Sequence, residues 1–169
     1  MAMLTIPVIL CDIQISTKWS IFKMGKNMKR DDKNQIIKSK ILSSAIAEFA
    51  RHGYEAGSMN AICRNGGVSK GIIYHYFGSK DGLYLNCVQV CFEEMTAYLS
   101  EKLSEKRESC DRLSDYFDAR MNFFKTHENY ARIFCSAVIL PPAKLRDEIA
   151  ERRKSFDVLN RTVLREILR

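Results

Sequence analysis

The densest chemistry in this chain lies in Ser69-Lys70-Gly71-Ile72-Ile73-Tyr74-His75-Tyr76, where a cation, a hydroxyl, an imidazole and two phenols fall within one short segment. An imidazole that acts as a base or holds a metal needs a carboxylate, a nucleophile or a second ligand beside it, and none accompanies His75 in sequence. The same residue types do suit a nucleic acid: lysine is a point charge for phosphate, and tyrosine and histidine are flat rings with a donor at the rim. Cysteine is the other reactive type. The six cysteines, at 11, 63, 87, 91, 110 and 135, form no Cys-x-x-Cys pair and no zinc-type spacing with histidine, so no metal site is expected. Cys87 and Cys91 lie one helical turn apart, which permits thiol sensing or soft-metal binding but is expected to reflect two small buried side chains. A cysteine or histidine enzyme, the reading from another class, needs a nucleophile with its base and an oxyanion site. No such set can be named, so no catalytic residue and no cofactor is assigned.

These groups need a scaffold, and the composition points to an all-α one. Only three prolines and eight glycines interrupt a chain of 169 residues that is 46% hydrophobic and 28% charged, an ordinary globular mixture. The net charge of +7 is unevenly placed: residues 1–80 carry 12 Lys and Arg against 5 Asp and Glu, whereas residues 81–169 carry 15 of each. A basic segment joined to a neutral one suggests that the basic part meets a polyanion, with nucleic acid ahead of an acidic membrane surface. No signal peptide is legible and no apolar run reaches the ~18 residues of a membrane span. A reducing cytoplasm, with free thiols and no membrane partner, is the expected setting.

Three regions are expected: an N-terminal arm over 1–30, a helix-turn-helix head over 31–80 and a helical regulatory body over 81–169. Residues 1–23 contain an apolar run, 4–11, without caps or helical period; an alternative reading starts translation at Met24 or Met28. From residue 34, Ile37, Ile41, Leu42, Ala45, Ile46 and Phe49 form one stripe of a first helix. Asp31 and Asp32 suit its N-terminus, and Gly53 suits a left-handed ending with Tyr54 folded back. Ser58 caps a short second helix that ends at Asn65-Gly66-Gly67, and Ser69 caps a third that runs through Phe77. On the third, Ile73 and Phe77 face a core while Lys70, Gly71, Tyr74 and His75 face away. A long fourth helix starts at 79–81 and passes Leu99, a fifth covers 111–125 and a sixth 129–140. Pro141-Pro142 then precedes one last helix from Ala143, on which Glu151-Arg152-Arg153-Lys154 is a solvated face.

Two short capped helices joined by a tight glycine turn, the second with a polar and aromatic outer face, make a helix-turn-helix. The segment FARHGYEAGSMNAICRNGGVSKGIIYHYFGSKDGLY, within about residues 36–83, resembles the N-terminal DNA-binding domain of the TetR family of repressors. The resemblance runs through Phe49, Gly53-Tyr54, the Gly67-Val68-Ser69-Lys70-Gly71 turn, and Tyr74-His75-Tyr76-Phe77 followed by Ser79-Lys80. It implies double-stranded DNA as partner. Ser58 and Lys80 would hold its backbone, Ser69, Lys70, Gly71 and Ile72 would start the recognition helix, and Tyr74, His75 and Tyr76 would reach phosphates or base edges; Asn60 joins the same set. The chain departs from the family at Ile72, often threonine, which trades a hydroxyl contact for an apolar one with a thymine methyl. It departs also at Cys63 and Gly66, where alanine is usual, at Gly78, where lysine is frequent, and at Gly82, where glutamate is.

Residues 84–169 resemble the family's ligand-binding and dimerisation domain by helix lengths and by Asn129-Tyr130 to Phe134. That implies a homodimer repressing at a palindromic operator, released when an unidentified small-molecule effector enters the body and moves the fourth helix. Family members continue through two further long helices that build the dimer interface, whereas this sequence stops in mid-pattern. The body is therefore expected to be incomplete at its C-terminus, with apolar surface exposed around Leu159, Val163, Leu164, Ile167 and Leu168. Dimerisation then belongs to a longer form, and the alternative reading is a fragment without a working interface. Phe92, Met95, Tyr98, Tyr116, Phe117, Met121, Phe123, Phe124 and Phe134 suit either an effector pocket or plain core.

Overall fold

The computed structural model describes residues 30–105 and 111–167, and of Arg30 and Ile167 the backbone alone. The arm with its 4–11 run, Cys11, Cys110 and Leu168 lie outside the described residues. The chain divides into two compact units, residues 1–37 and 38–169. Of the first, residues 30–37 are described and are helical, with Asp31 and Asp32 in the opening turn.

The second unit is helical at nearly every described position. Helix α1 (Arg30–Ala56) buries Ile41, Ala45, Ile46 and Phe49, four of the stripe residues, and leaves Leu42 half-buried. Gly53 adopts the positive φ of 73° as expected and breaks the helix there, and one further turn runs on to Ala56 beyond the kink. Tyr54, just past it, packs its ring 5.0 Å from that of Tyr84. Helix α2 (Met59–Gly66) starts at Ser58, whose Oγ accepts from the Ala61 N–H at 3.3 Å, and stops at Gly67 with φ 63°. Helix α3 (Lys70–Phe77) starts at Ser69, whose Oγ accepts from the Ile72 N–H, and stops at Gly78.

Helix α4 (Lys80–Glu105) is the axis of the body and buries one residue after another from Leu83 to Leu103, with Cys87 and Cys91 among them. Helices α5 (Arg112–Thr126) and α6 (Glu128–Ile139) pack on it. A 3-10 turn (Ala143–Leu145) follows Pro141-Pro142, and then come α7 (Arg146–Arg152) and α8 (Lys154–Ile167), both also against α4.

Two expectations change here. The single last helix is instead α7 and α8, separated at Arg153 (φ −95°, ψ 3°) where neither glycine nor proline stands. Tertiary packing sets this bend, since α7 and α8 each deliver a residue to the core, Ile149 and Phe156. The 151–154 run is solvated except at one position: Glu151, Arg152 and Lys154 are exposed, with Lys154 paired to Glu151 across the bend and Arg152 reaching Gln89 on α4, whereas Arg153 is half-buried and pairs with Asp157 at 3.0 Å. At the end of the chain Val163 is buried and Leu159 half-buried, while Leu164 and Val158 are exposed. Most of the aromatic set is core. Phe92, Met95, Tyr116, Phe123 and Phe134 are buried, Tyr98 and Phe124 are half-buried, and Phe117 and Met121 lie on the surface.

Candidate nucleic-acid interface

Helix α3 is held to the molecule by Ile73, which is fully buried, and by the half-buried Phe77. What remains outward is Ser69, Lys70, Gly71, Ile72 (38% exposed), Tyr74 (44% exposed) and His75. A hydrophobic residue and a large ring are thus exposed on a two-turn helix whose cap leaves backbone N–H groups at its N-terminus, the combination that a major groove and its phosphates can use. A Cβ on Gly71 would have only the Ser69 Oγ within reach, at 3.9 Å, so this glycine fills no structural need and instead thins the outer face. Tyr76 is half-buried, as its place between the two faces suggests, with the His75 ring 5.2 Å from it and the Lys38 ammonium over its face at 5.5 Å.

The other site residues sit around the base of this helix. Asn60 is exposed on α2. Ser58 is half-buried: its Oγ serves the α2 cap, and its N–H donates to Glu48 Oε1 at 2.9 Å. Glu48 was not singled out from sequence, although a carboxylate at the helical position between Ala45 and Phe49 is the signal that could have found it. The Lys80 ammonium donates to the Glu55 carbonyl oxygen at 2.8 Å and lies over the Tyr54 ring at 5.1 Å. It tethers the start of α4 to the end of α1.

A second joint lies beside it. Tyr54 donates its hydroxyl to Asp81 Oδ1, and Lys144, from the turn after the two prolines, donates to both Asp81 oxygens at 3.0 and 2.8 Å. The lysine hydrogen bond holds the Asp81 carboxyl below the ordinary aspartate range, with the tyrosine hydroxyl adding to it. Burial, followed by the hydrogen bond to Asp81, pushes the Tyr54 phenol up. No sequence pattern joins positions 54, 81 and 144, which only the folded chain brings together.

The thiols on α4 are inert by environment. Burial pushes Cys87 up, and it pushes Cys91 up to about 12, with the Cys91 Sγ donating to the Tyr130 carbonyl oxygen at 3.2 Å. Among the described residues no three His, Cys, Asp or Glu side chains converge as metal ligands, and no helix is long and apolar enough to cross a membrane.

Residues 41–87 match the family model described as bacterial regulatory proteins, tetR family. The biofilm operon icaADBC HTH-type negative transcriptional regulator IcaR of Staphylococcus aureus is 26% identical over 98 residues, covering 58% of this chain and 52% of that protein. The HTH-type transcriptional regulator BetI of Vibrio campbellii is 34% identical over 71 residues, 42% of this chain and 36% of that protein. The chain thus spans about half the length, or less, of these curated relatives. Among solved structures, the fatty acid degradation regulator FadR from Bacillus halodurans aligns with a TM-score of 0.59 at 23% identity, over 76% of this chain and 69% of that one. The TetR family transcriptional regulator PfmR from Thermus thermophilus aligns with a TM-score of 0.54 at 25% identity, over 74% and 68%. All four are named as regulators and none as an enzyme.

Proposed function

We propose, from the premise that residues 41–87 make this chain a member of the TetR family of bacterial regulators, that it is a sequence-specific DNA-binding transcriptional repressor reading double-stranded DNA with α3. The observation that carries this is the outer face of α3, where Lys70, Gly71, Ile72, Tyr74 and His75 are exposed together on a helix locked from behind by Ile73. The α3 helix enters a major groove about 12 Å wide; Tyr74, His75 and Ile72 meet base edges, and Lys70 meets phosphate. Ser58 and Ser69 offer hydroxyls and helix N-termini to the backbone, with Asn60 and Tyr76 at the flanks. Lys80 supports the geometry from behind, and its remaining donors can face a phosphate.

The regulator acts in the cytoplasm as a homodimer on a palindromic operator, each head taking one half-site. Response to a small-molecule effector is supported by the way α4 is built in. Only Gly78 and Ser79 separate α3 from α4, and α5, α6, α7 and α8 all rest on α4. A ligand that shifts α4 within the body therefore changes the separation of the two recognition helices, which must match successive grooves ~34 Å apart. The test is selection from a pool of random-sequence duplexes by the purified chain. Enrichment of a common sequence is expected, and where two copies associate it should be an inverted repeat whose half-site centres lie about one helical turn or a multiple apart. Retention of DNA without any enriched sequence would overturn the proposal.

A further inference from the structure

We propose that Arg120 anchors an anion site in the helical body, and that its ligand is a monoanionic carboxylate on an apolar or aromatic skeleton. This deepens the effector-response reading and rests on it. Arg120 projects from α5 and is half-buried, its guanidinium carbon 4.9 Å from the ring centroid of Phe134, 5.7 Å from that of Phe156 and 5.8 Å from that of Phe124. Rings from α5, α6 and α8 thus wall one cation. Its hydrogen bonding is sparse for a group with five N–H donors: Nη1 donates to Tyr116 Oη at 3.4 Å, and that hydroxyl donates onward to Asn160 Oδ1 at 2.5 Å.

The other body arginines with ion pairs show what this one lacks. Arg112 pairs with Glu166, Arg132 with Glu128 and Arg153 with Asp157, whereas no carboxylate among the described residues pairs with Arg120. A partly desolvated cation without a counter-ion is costly, and ring faces offset only part of that cost. The guanidinium fork matches a carboxylate by two parallel hydrogen bonds, which makes a planar monoanion the natural complement. A phosphate ester would call for further cations at the same place, and the neighbours of Arg120 are phenyl rings, a phenol and an amide. The apolar part of the ligand follows from the walls. Phe92 continues them, with its ring 5.4 Å from both Phe134 and Phe156.

The probes are octanoate and phenylacetate, each beside its uncharged amide, titrated calorimetrically into the full chain. At least one acid should bind saturably, with its amide at least tenfold weaker. Arg120→Met should lose that acid at least tenfold and Arg120→Lys less, with circular dichroism reporting that both variants are folded. Absence of binding by both acids, equal binding of acid and amide, or equal binding to Arg120→Met would each overturn the site; the acid-amide comparison on the unaltered chain decides even if the variants do not fold. The effector reading is separable. If the acid binds through Arg120 but leaves affinity for a selected duplex unchanged, the site stands and the ligand-response mechanism fails.

Discussion

Replacing Gly82 with alanine sets two effects of known size against each other. Gly82 lies in the first turn of α4, where alanine is ordinarily favoured over glycine by about 1 kcal/mol. A Cβ at this position, however, would stand 2.1 Å from the backbone carbonyl oxygen of Phe77. That oxygen cannot swing aside freely, because it accepts the Ser79 N–H at 2.8 Å in the turn that joins α3 to α4. Relief requires a backbone shift of roughly an ångström or more, and forced overpacking of this kind costs about 1–3 kcal/mol. The clash should win by up to about 2 kcal/mol. For a chain of this size the melting temperature then falls by up to about 8 °C, at about 2–4 °C per kcal/mol. Gly71→Ala is the matched control: the nearest atom is 3.9 Å away, so helix propensity should raise the melting temperature by about 2–4 °C while the added methyl on the outer face weakens DNA binding. Both values come from calorimetric melts in one buffer. A Gly82→Ala protein that melts at or above the parent temperature would refute the reasoning about the α3–α4 joint.

Three further outcomes are expected. Ile72 should read a thymine methyl, so replacing that thymine by uracil in a selected duplex should weaken binding by about fourfold, the value of one buried methyl-sized group, and Ile72→Ala should abolish the sensitivity; equal binding of both duplexes by the parent chain would remove this role. The Asp81 carboxyl is depressed by Lys144, so its stabilising contribution is present above the unfolded aspartate value of about 3.9 and is lost as pH falls through the lower folded value. Lys144→Met should accordingly melt below the parent at neutral pH, with the gap closing as pH drops from about 5 towards 2; a gap that stays constant would contradict the pairing. Cys135 is exposed while Cys87 and Cys91 are buried with raised pKa, so iodoacetamide at about pH 8 should label Cys135 and spare the α4 pair until the protein is unfolded. Peptide mass mapping that finds Cys87 or Cys91 modified in the folded chain would restore the thiol-sensor reading.

The head was legible because its signals are local. Ser58 and Ser69 each cap the next helix through a residue three positions on, Gly53 and Gly67 take the positive φ that their turns demand, and Ile73 separates the buried from the exposed side of α3. What escaped sequence reading is held by distant partners. Lys144 reaches Asp81 across 63 positions, Tyr116 reaches Asn160 across 44, and the Arg153 bend has no breaker residue to announce it. The aromatic residues of the body were ambiguous for the same reason, since helical spacing cannot say which rings meet each other and which side chains, like Phe117 and Met121, remain on the surface. Arg120 gave no signal because a lone arginine on an amphipathic helix looks like any solvated charge; only the three rings around it mark it out.

That the outer face of α3 meets DNA is tested most directly by anisotropy titrations of a selected duplex across a salt series. The parent chain is compared with Lys70→Ala, Tyr74→Ala and, as a control exposed on α5, Met121→Ala. Lys70→Ala should reduce the slope of log affinity against log salt by about 0.9, the share of one phosphate contact. Tyr74→Ala should weaken binding to the selected duplex more than to a random one, and Met121→Ala should match the parent. Unchanged affinity and slope for both α3 variants would contradict the assignment of this helix to the groove.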